Sequence, residues 1–279
     1  MSVIGFYGVA QNVGKRSIAL TAAKRAAENN IKTLFIELDY FRPQLAISQG
    51  ISHNEKNAEA YFLKSIEKDQ YAMEPYILKM EDLDLDKKSA NYLKEIPGNL
   101  HFLGFSKNYN PQMFPYIEND TTEKTLEHRV GIAESIMGQI KQLDYELVIL
   151  NFPNRFENIF CLPIMISCDA VVNVLTPTIE VISLYKQIKE TYKSVKPENQ
   201  NWMNVLNLVP PTLDDGVYKG LADNIEVIID FDDSRVDKEL TNYIGSNKLN
   251  AAGDDILRNL GMEIAGKKKR KNFLGLQVG

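Results

Sequence analysis

A short segment near the N-terminus has the residue types that bind phosphate. It lies between an apolar stretch, Val3–Tyr7, and a helical pattern, and it reads Gly8-Val9-Ala10-Gln11-Asn12-Val13-Gly14-Lys15-Arg16-Ser17. In a strand–loop–helix of this kind, the loop amides and the helix N-terminus point at phosphate oxygens. We therefore predict phosphate binding by the loop, with Lys15 as a catalytic residue that reaches between the outer phosphates and with contacts from Asn12, Val13, Gly14, Arg16 and Ser17. Gly14 follows Gly8 by six positions rather than five, so a plain glycine turn is the alternative.

Two acidic residues lie at the end of the next apolar stretch, Lys32–Leu38. Ligands of open parallel sheets bind at the carboxyl ends of the strands. We therefore expect Asp39 near the position of an attacking water, as a catalytic residue if hydrolysis occurs. The alternative for Asp39 is a cap on the following turn. We interpret Glu37 as a structural or supporting acid.

The elements that must position these residues alternate along the chain as strands and helices. This βαβ rhythm predicts an α/β fold, namely a doubly wound, mostly parallel sheet flanked by helices. We predict a single α/β domain over residues 1–252 and an extension over residues 253–279. Within the extension, residues 254–265 are expected to form a docking helix. The other predicted strands are Leu100–Phe105, Tyr145–Leu150, Ala170–Leu175, Val205–Leu208 and Glu226–Asp230, and the other helices are 17–29, 123–142 and 179–193.

Composition and the N-terminal residues limit the classes of protein to which this chain can belong. No run of about 18 apolar residues occurs, which argues against a membrane-spanning helix. The N-terminus enters an apolar strand without the charged leader of a secretory signal. Cys161 and Cys168 are too few for a disulfide framework and have no metal-ligand partners nearby in the sequence, so no metal site is predicted. We expect a cytoplasmic protein.

The charges are unevenly distributed. Residues 267–271 contribute five positive charges to a net charge of −5, so residues 1–266 carry −10. An acidic body argues against direct nucleic-acid binding, because phosphates repel it. Basic residues beside large apolar ones favour an anionic membrane surface, with a solvated tail or an acidic groove of a partner protein as alternatives. The predicted membrane-binding residues are Lys267, Lys268, Lys269, Arg270, Lys271, Phe273 and Leu274.

Several segments resemble, in the same order, the deviant-Walker P-loop ATPases of the MinD/ParA family, which includes CpaE/TadZ-like members. The interval from Lys15 to Glu37 is similar to theirs, and Glu37-Leu38-Asp39 looks like their Asp-x-Asp. The resemblance implies ATP as the cofactor, a homodimer around the nucleotide, and Asn207 as the residue that reads adenine; the alternative for Asn207 is a bond to loop backbone. The tail is similar to the membrane-targeting end of MinD proteins. The other segments that carry the resemblance are 144–153, 169–177 and 205–210.

The chain departs from this family at the groups that handle metal and phosphate charge. Arg16 stands where the family has the Mg²⁺-binding hydroxyl, and Asn151 stands where it has the central-strand Asp. The resemblance still implies that Asn151 belongs to the nucleotide-binding residues. Ser17 is no simple substitute, because one helical step turns a side chain by about 100°. The second loop lysine is absent, with Val9 or Ala10 in its place. These changes argue against bound Mg²⁺ and predict at most a weak ATPase. Arg16 either neutralises phosphate charge permanently or faces solvent.

Three functions follow from these observations. The leading hypothesis is a degenerate, dimerising nucleotide switch that regulates a larger membrane-associated, pilus, secretion or division machine through an unidentified protein partner. Such a protein is expected in the cytoplasm and peripherally on the inner face of the cell membrane. The second is a pseudo-ATPase scaffold. The third is a bacterial tyrosine kinase, suggested by Glu37–Pro43, although no tyrosine follows Tyr243 to form the usual C-terminal cluster.

Overall fold

A parallel sheet is the centre of the structure, a computed structural model that describes residues 1–83, 95–114, 123–156, 158, 160–195, 201–212, 222, 225–234 and 244–265. The seven strands have the order β3-β2-β4-β1-β5-β6-β7, and every neighbouring pair is parallel. The strands are β1 (Ser2–Tyr7), β2 (Thr33–Glu37), β3 (Leu100–Leu103), β4 (Leu147–Asn151), β5 (Ala170–Leu175), β6 (Asn201–Val209) and β7 (Ile225–Asp230).

Helices cover both faces of this sheet. They are α1 (Lys15–Glu28), α2 (Leu45–Gln49), α3 (Ala58–Lys68), α4 (Glu123–Gln142), α5 (Leu162–Met165), α6 (Ile179–Val195) and α7 (Asn247–Asn259). Short 3₁₀ turns occur at Glu74–Tyr76, Met80–Asp82 and Pro111–Met113.

The central strands are buried on both sides because their side chains alternate between two cores. On β1, Ile4 and Phe6 belong to a core that includes residues of α1 and α7, while Val3 and Tyr7 belong to a core that includes residues of α3 and α4. Burial on both faces explains why these strands read as nearly continuous apolar runs. The predicted doubly wound α/β sheet is thereby confirmed.

Most element boundaries agree with the sequence prediction, and the differences have local causes. The helix over 123–142 and the strand over 170–175 are found at the predicted bounds. Strand β6 begins four residues before the predicted start, at Asn201. There the buried Asn204 donates a 2.8 Å hydrogen bond to the Tyr185 hydroxyl, which makes a polar residue acceptable in the core. The five residues of α2 are too few to show a helical period.

The C-terminal helix also differs from its predicted range. Helix α7 begins at Asn247, where Ser246 accepts a 3.2 Å hydrogen bond from the Leu249 amide. It therefore crosses the predicted domain boundary at residue 252, and that boundary stays a prediction. The predicted membrane-binding residues 267–274 lie outside the described part of the chain. Within the described part, no helix is long and apolar enough to cross a membrane.

Candidate functional site

The loop between β1 and α1 has the backbone form that its glycines permit. Gly14 precedes α1 with φ of 82°, and Asn12 has φ of 61°. Glycine and asparagine adopt this left-handed region most readily. At Gly8, a Cβ would lie 2.6 Å from a methyl carbon of Val13, so the closeness of the two ends of the loop also requires glycine. The first turn of α1 contains no acidic residue, which leaves its positive dipole end available to an anion.

A cleft of about 320 Å³ opens in front of this loop, at the carboxyl ends of β2 and β4. It contains the predicted catalytic pair, Lys15 and Asp39. It also contains every predicted nucleotide-binding residue except Asn207. Its position agrees with the rule for ligand sites in open α/β sheets. The lining residues are Ala10, Gln11, Asn12, Val13, Gly14, Lys15, Arg16, Ser17, Asp39, Arg42, Gln44, Asn151 and Asn154.

Lys15 is held inside the cleft by two oxygen atoms. Its Nζ donates to the Phe152 carbonyl and lies 4.0 Å from Asp39 Oδ2, with only 11% of the side chain exposed. Burial lowers the pKa of Lys15, and the nearby Asp39 carboxylate opposes that shift. The amine is therefore positioned at the cleft, but it is engaged by the protein.

Arg16 joins the loop to α2. Its guanidinium donates to Gln44 Oε1 and to Ser48 Oγ, the latter at 3.3 Å. The side chain is half-buried and lines the cleft rather than facing solvent. The sequence did not predict these contacts, because α2 itself had no recognisable signal.

Two buried acceptors lie side by side at the end of the sheet. Glu37 and Asn151 are paired in register between β2 and β4. Glu37 Oε1 accepts from the amides of Gln44 (2.9 Å) and Leu45 (3.3 Å), which places the carboxyl group at the N-terminus of α2. Burial raises the pKa of Glu37 to about 7. Among the described residues, neither Glu37 Oε2 nor Asn151 Oδ1 has a hydrogen-bond partner.

Asn207 stands behind the loop rather than at the cleft. It is fully buried, and its Nδ2 donates a 2.7 Å hydrogen bond to the Val13 carbonyl. The next residue, Leu208, has φ of 60°, where the pairing of β6 with β7 shifts register. This agrees with the loop-backbone alternative, and the role of Asn207 as an adenine contact stays a prediction.

Besides Ala10 and Gln11 of the loop itself, four residues of the cleft or its contacts were missing from the sequence prediction. Gln44 and Ser48 bind Arg16, while Arg42 and Asn154 line the cleft. A signal existed for Arg42, since it follows the strand-end acid Asp39 by only three positions, and a cation so close to a strand end is well placed for a phosphate site. The positions of Gln44 and Ser48 depend on the path of the chain after β2, and that of Asn154 depends on its path after β4. No local sequence pattern predicts either path.

The comparisons with known proteins bear on the fold of the chain. No protein-family model and no curated protein matches the sequence. The structure resembles the septum site-determining protein MinD complexed with Mg-ADP from Pyrococcus horikoshii, with a TM-score of 0.66, 11% identity and coverage of 93% of this chain and 95% of that one. It resembles the MinD cell division protein of Aquifex aeolicus with a TM-score of 0.67, 17% identity and coverage of 96% and 100%.

A third similar structure is a ParA family ATPase from Chlorobium tepidum. Its TM-score is 0.60 at 14% identity, and the match covers 91% of this chain and 98% of that one. At these identities the likeness concerns the fold, over nearly the whole length of both chains. The chain therefore has the fold of the MinD and ParA P-loop ATPases.

Proposed function

We propose that the chain binds a nucleoside triphosphate such as ATP in the cleft and acts as a degenerate switch of the MinD/ParA type. The observation that carries this proposal is the loop itself. Gly14 in the left-handed conformation, Lys15 and the N-terminus of α1, which has no side-chain cap, meet at the carboxyl edge of the sheet. Loop amides and a helix N-terminus provide the donors that phosphates require, and the lysine adds positive charge.

The donor set of the cleft does not fit the family's Mg²⁺ site. Mg²⁺ requires hard oxygen ligands in octahedral geometry. The residue next to Lys15 is a cation, and Asn151 offers a neutral amide where a carboxylate is expected. Asp39, the one carboxylate among the described lining residues, is paired with Lys15. Side-chain cations then neutralise the phosphates, and hydrolysis is weak or absent.

A dimer around the nucleotide and a partner protein belong to the same proposal. The segment after β2, which forms one wall of the cleft, carries exposed apolar side chains at Phe41 (38% exposed) and Ile47 (71% exposed). We assign these two exposed side chains to the contact with a second copy of the chain or with a partner protein. Reversible attachment to a membrane through residues 267–274 would bring the switch to its machine.

The second candidate is a scaffold that has lost nucleotide binding. It is favoured by the contacts of Lys15 with the Phe152 carbonyl and Asp39 and of Arg16 with Gln44 and Ser48. A cation that already contacts protein oxygens must break those contacts to bind a phosphate, which lowers the affinity for nucleotide. The two candidates differ in a measurable quantity, the affinity for nucleotide.

Calorimetric titration with ATP, in EDTA and in Mg²⁺, tests the proposal on wild type and Lys15→Ala. We expect wild type to bind in both buffers and Lys15→Ala to lose at least tenfold in affinity, because the amine contacts the outer phosphates. The control is Lys32→Ala, since Lys32 is a lysine that does not line the cleft and pairs with Asp144 instead.

The same samples give the other readouts. ATP turnover should stay near background, and sedimentation should show a dimer only with nucleotide. If wild type binds ATP neither in EDTA nor in Mg²⁺, the result contradicts the switch and favours the scaffold. Turnover well above background that requires Lys15 would contradict the claim of weak hydrolysis.

A further inference from the structure

We propose that Arg42 binds the terminal phosphate of the nucleotide and makes the cleft select triphosphates over diphosphates. The inference rests on the proposed function and assigns a role within that cleft. It would give the switch a way to distinguish its two nucleotide states without Mg²⁺.

Arg42 differs from the other cations of the cleft in what its side chain contacts. Lys15 is engaged by Phe152 and Asp39, and Arg16 is engaged by α2. Among the described residues, the guanidinium of Arg42 has no hydrogen-bond or ion-pair partner, although it lines the cleft. A cation without a protein partner breaks no protein contact when it binds a phosphate.

The backbone holds Arg42 at a fixed place on the cleft wall. Its amide donates to both the carbonyl and the Oδ1 of Asp39, each at 3.3 Å, which closes a tight turn after β2. Pro43 follows and restricts the conformation of the residue before it. The backbone of Arg42 is thus held in the turn, whereas its side chain is exposed and can reach toward a ligand.

The place of Lys15 indicates which phosphate Arg42 would meet. A loop lysine reaches the outer phosphates, and here its amine lies 4.0 Å from Asp39. The outer end of a bound triphosphate therefore points toward the turn formed by Asp39 and Arg42. Because Lys15 is already paired with the Asp39 carboxylate, a second cation at this turn would strengthen the binding of that phosphate. A guanidinium can bind two phosphate oxygens in a fork.

The test compares the affinities for AMPPNP and ADP, each measured by calorimetry in EDTA. In Arg42→Ala, AMPPNP affinity should fall about tenfold or more, while ADP affinity stays within about twofold of wild type, because ADP lacks the phosphate concerned. Arg42→Lys should lose less, since it keeps the charge but not the fork. The matched control is Arg258→Ala, because Arg258 is an exposed arginine that pairs with Asp255 on α7.

The outcomes separate this inference from the proposed function. If wild type binds AMPPNP and Arg42→Ala weakens both nucleotides equally, or neither, the role of Arg42 is overturned while the nucleotide switch stands. If wild type binds neither nucleotide, the proposed function fails and this inference fails with it. Unchanged thermal melting of Arg42→Ala would show that any loss of affinity is not a folding defect.

Discussion

At the scale of single residues, two buried oxygen atoms at the carboxyl ends of β2 and β4 accept no hydrogen bond from the described residues. Glu37 Oε2 and Asn151 Oδ1 are buried on neighbouring strands, and neither has a partner among the described residues. An unpaired buried acceptor costs about 1–3 kcal/mol, and an ionised one costs more. A proton on Glu37 removes its charge, which is the physical reason why burial raises the pKa of this group to about 7.

This pKa predicts a pH-dependent stability. The folded pKa of Glu37 lies above its ordinary value of 4.5, so the folded state binds more protons than the unfolded state between the two values. The free energy of unfolding should therefore fall as pH rises from about 4.5 to about 7, by about 3 kcal/mol in total. Glu37→Gln should remove this loss, because its amide oxygen still accepts from Gln44 and Leu45 and no charge forms.

Urea unfolding of wild type and Glu37→Gln at pH 5 and pH 8 measures the effect. The control is Glu134→Gln on the exposed side of α4, which should keep the pH profile of wild type. Parallel pH profiles for wild type and Glu37→Gln would show that Glu37 is ionised in the folded protein throughout this range.

At the scale of elements, α1 connects the loop to the C-terminal helix. Its N-terminus faces the cleft, while Arg25 near its C-terminus binds Asp254 of α7 through Nε at 2.7 Å and a terminal nitrogen at 3.0 Å. Asp254 is only 4% exposed, and this contact raises the pKa of Arg25. The ion pair between Arg25 and the buried Asp254 thus holds the C-terminal part of α1 against α7, and Lys15 is the first residue of the same helix.

Asp254→Ala should lower the free energy of unfolding by about 2 to 3 kcal/mol, because it leaves the Arg25 guanidinium partly buried without its main partner. The neighbouring Asp255→Ala is the matched control. Asp255 pairs with Arg258 at 2.8 Å, but the two side chains are 57% and 40% exposed, so the loss should stay below about 0.5 kcal/mol. Urea unfolding compares the two variants, and equal losses would contradict a special role for the buried pair.

At the scale of the whole molecule, the cleft and the C-terminal end of the described chain lie at opposite ends of α1. The amide of Ala265 donates a 2.9 Å hydrogen bond to Asn29, the residue that caps the C-terminus of α1. Fourteen helical residues separate this point from the loop by about 20 Å. Residues 267–274 begin just after Ala265 in sequence, so a membrane bound there need not obstruct the cleft.

Deletion of residues 267–279 should abolish co-sedimentation with phosphatidylserine-containing vesicles and leave ATP affinity unchanged. Five cations near an anionic surface contribute about 1 kcal/mol each, and salt should weaken the binding of wild type. Replacing only the five cations by glutamine separates the charges from the apolar residues. Equal sedimentation of wild type and the deletion variant would refute the membrane role, as would equal sedimentation on neutral vesicles.

The sequence by itself determined the alternation of strands and helices, the loop and the altered residues Arg16 and Asn151. These features are local, since a phosphate loop and a buried strand are specified by neighbouring residues. Only the tertiary structure decided what each side chain contacts. Arg16 binds α2, Asn207 binds Val13 and Lys15 lies beside Asp39, because the parallel sheet brings distant strand ends to one edge. Such contacts depend on strand order and register, which no single segment of the sequence encodes.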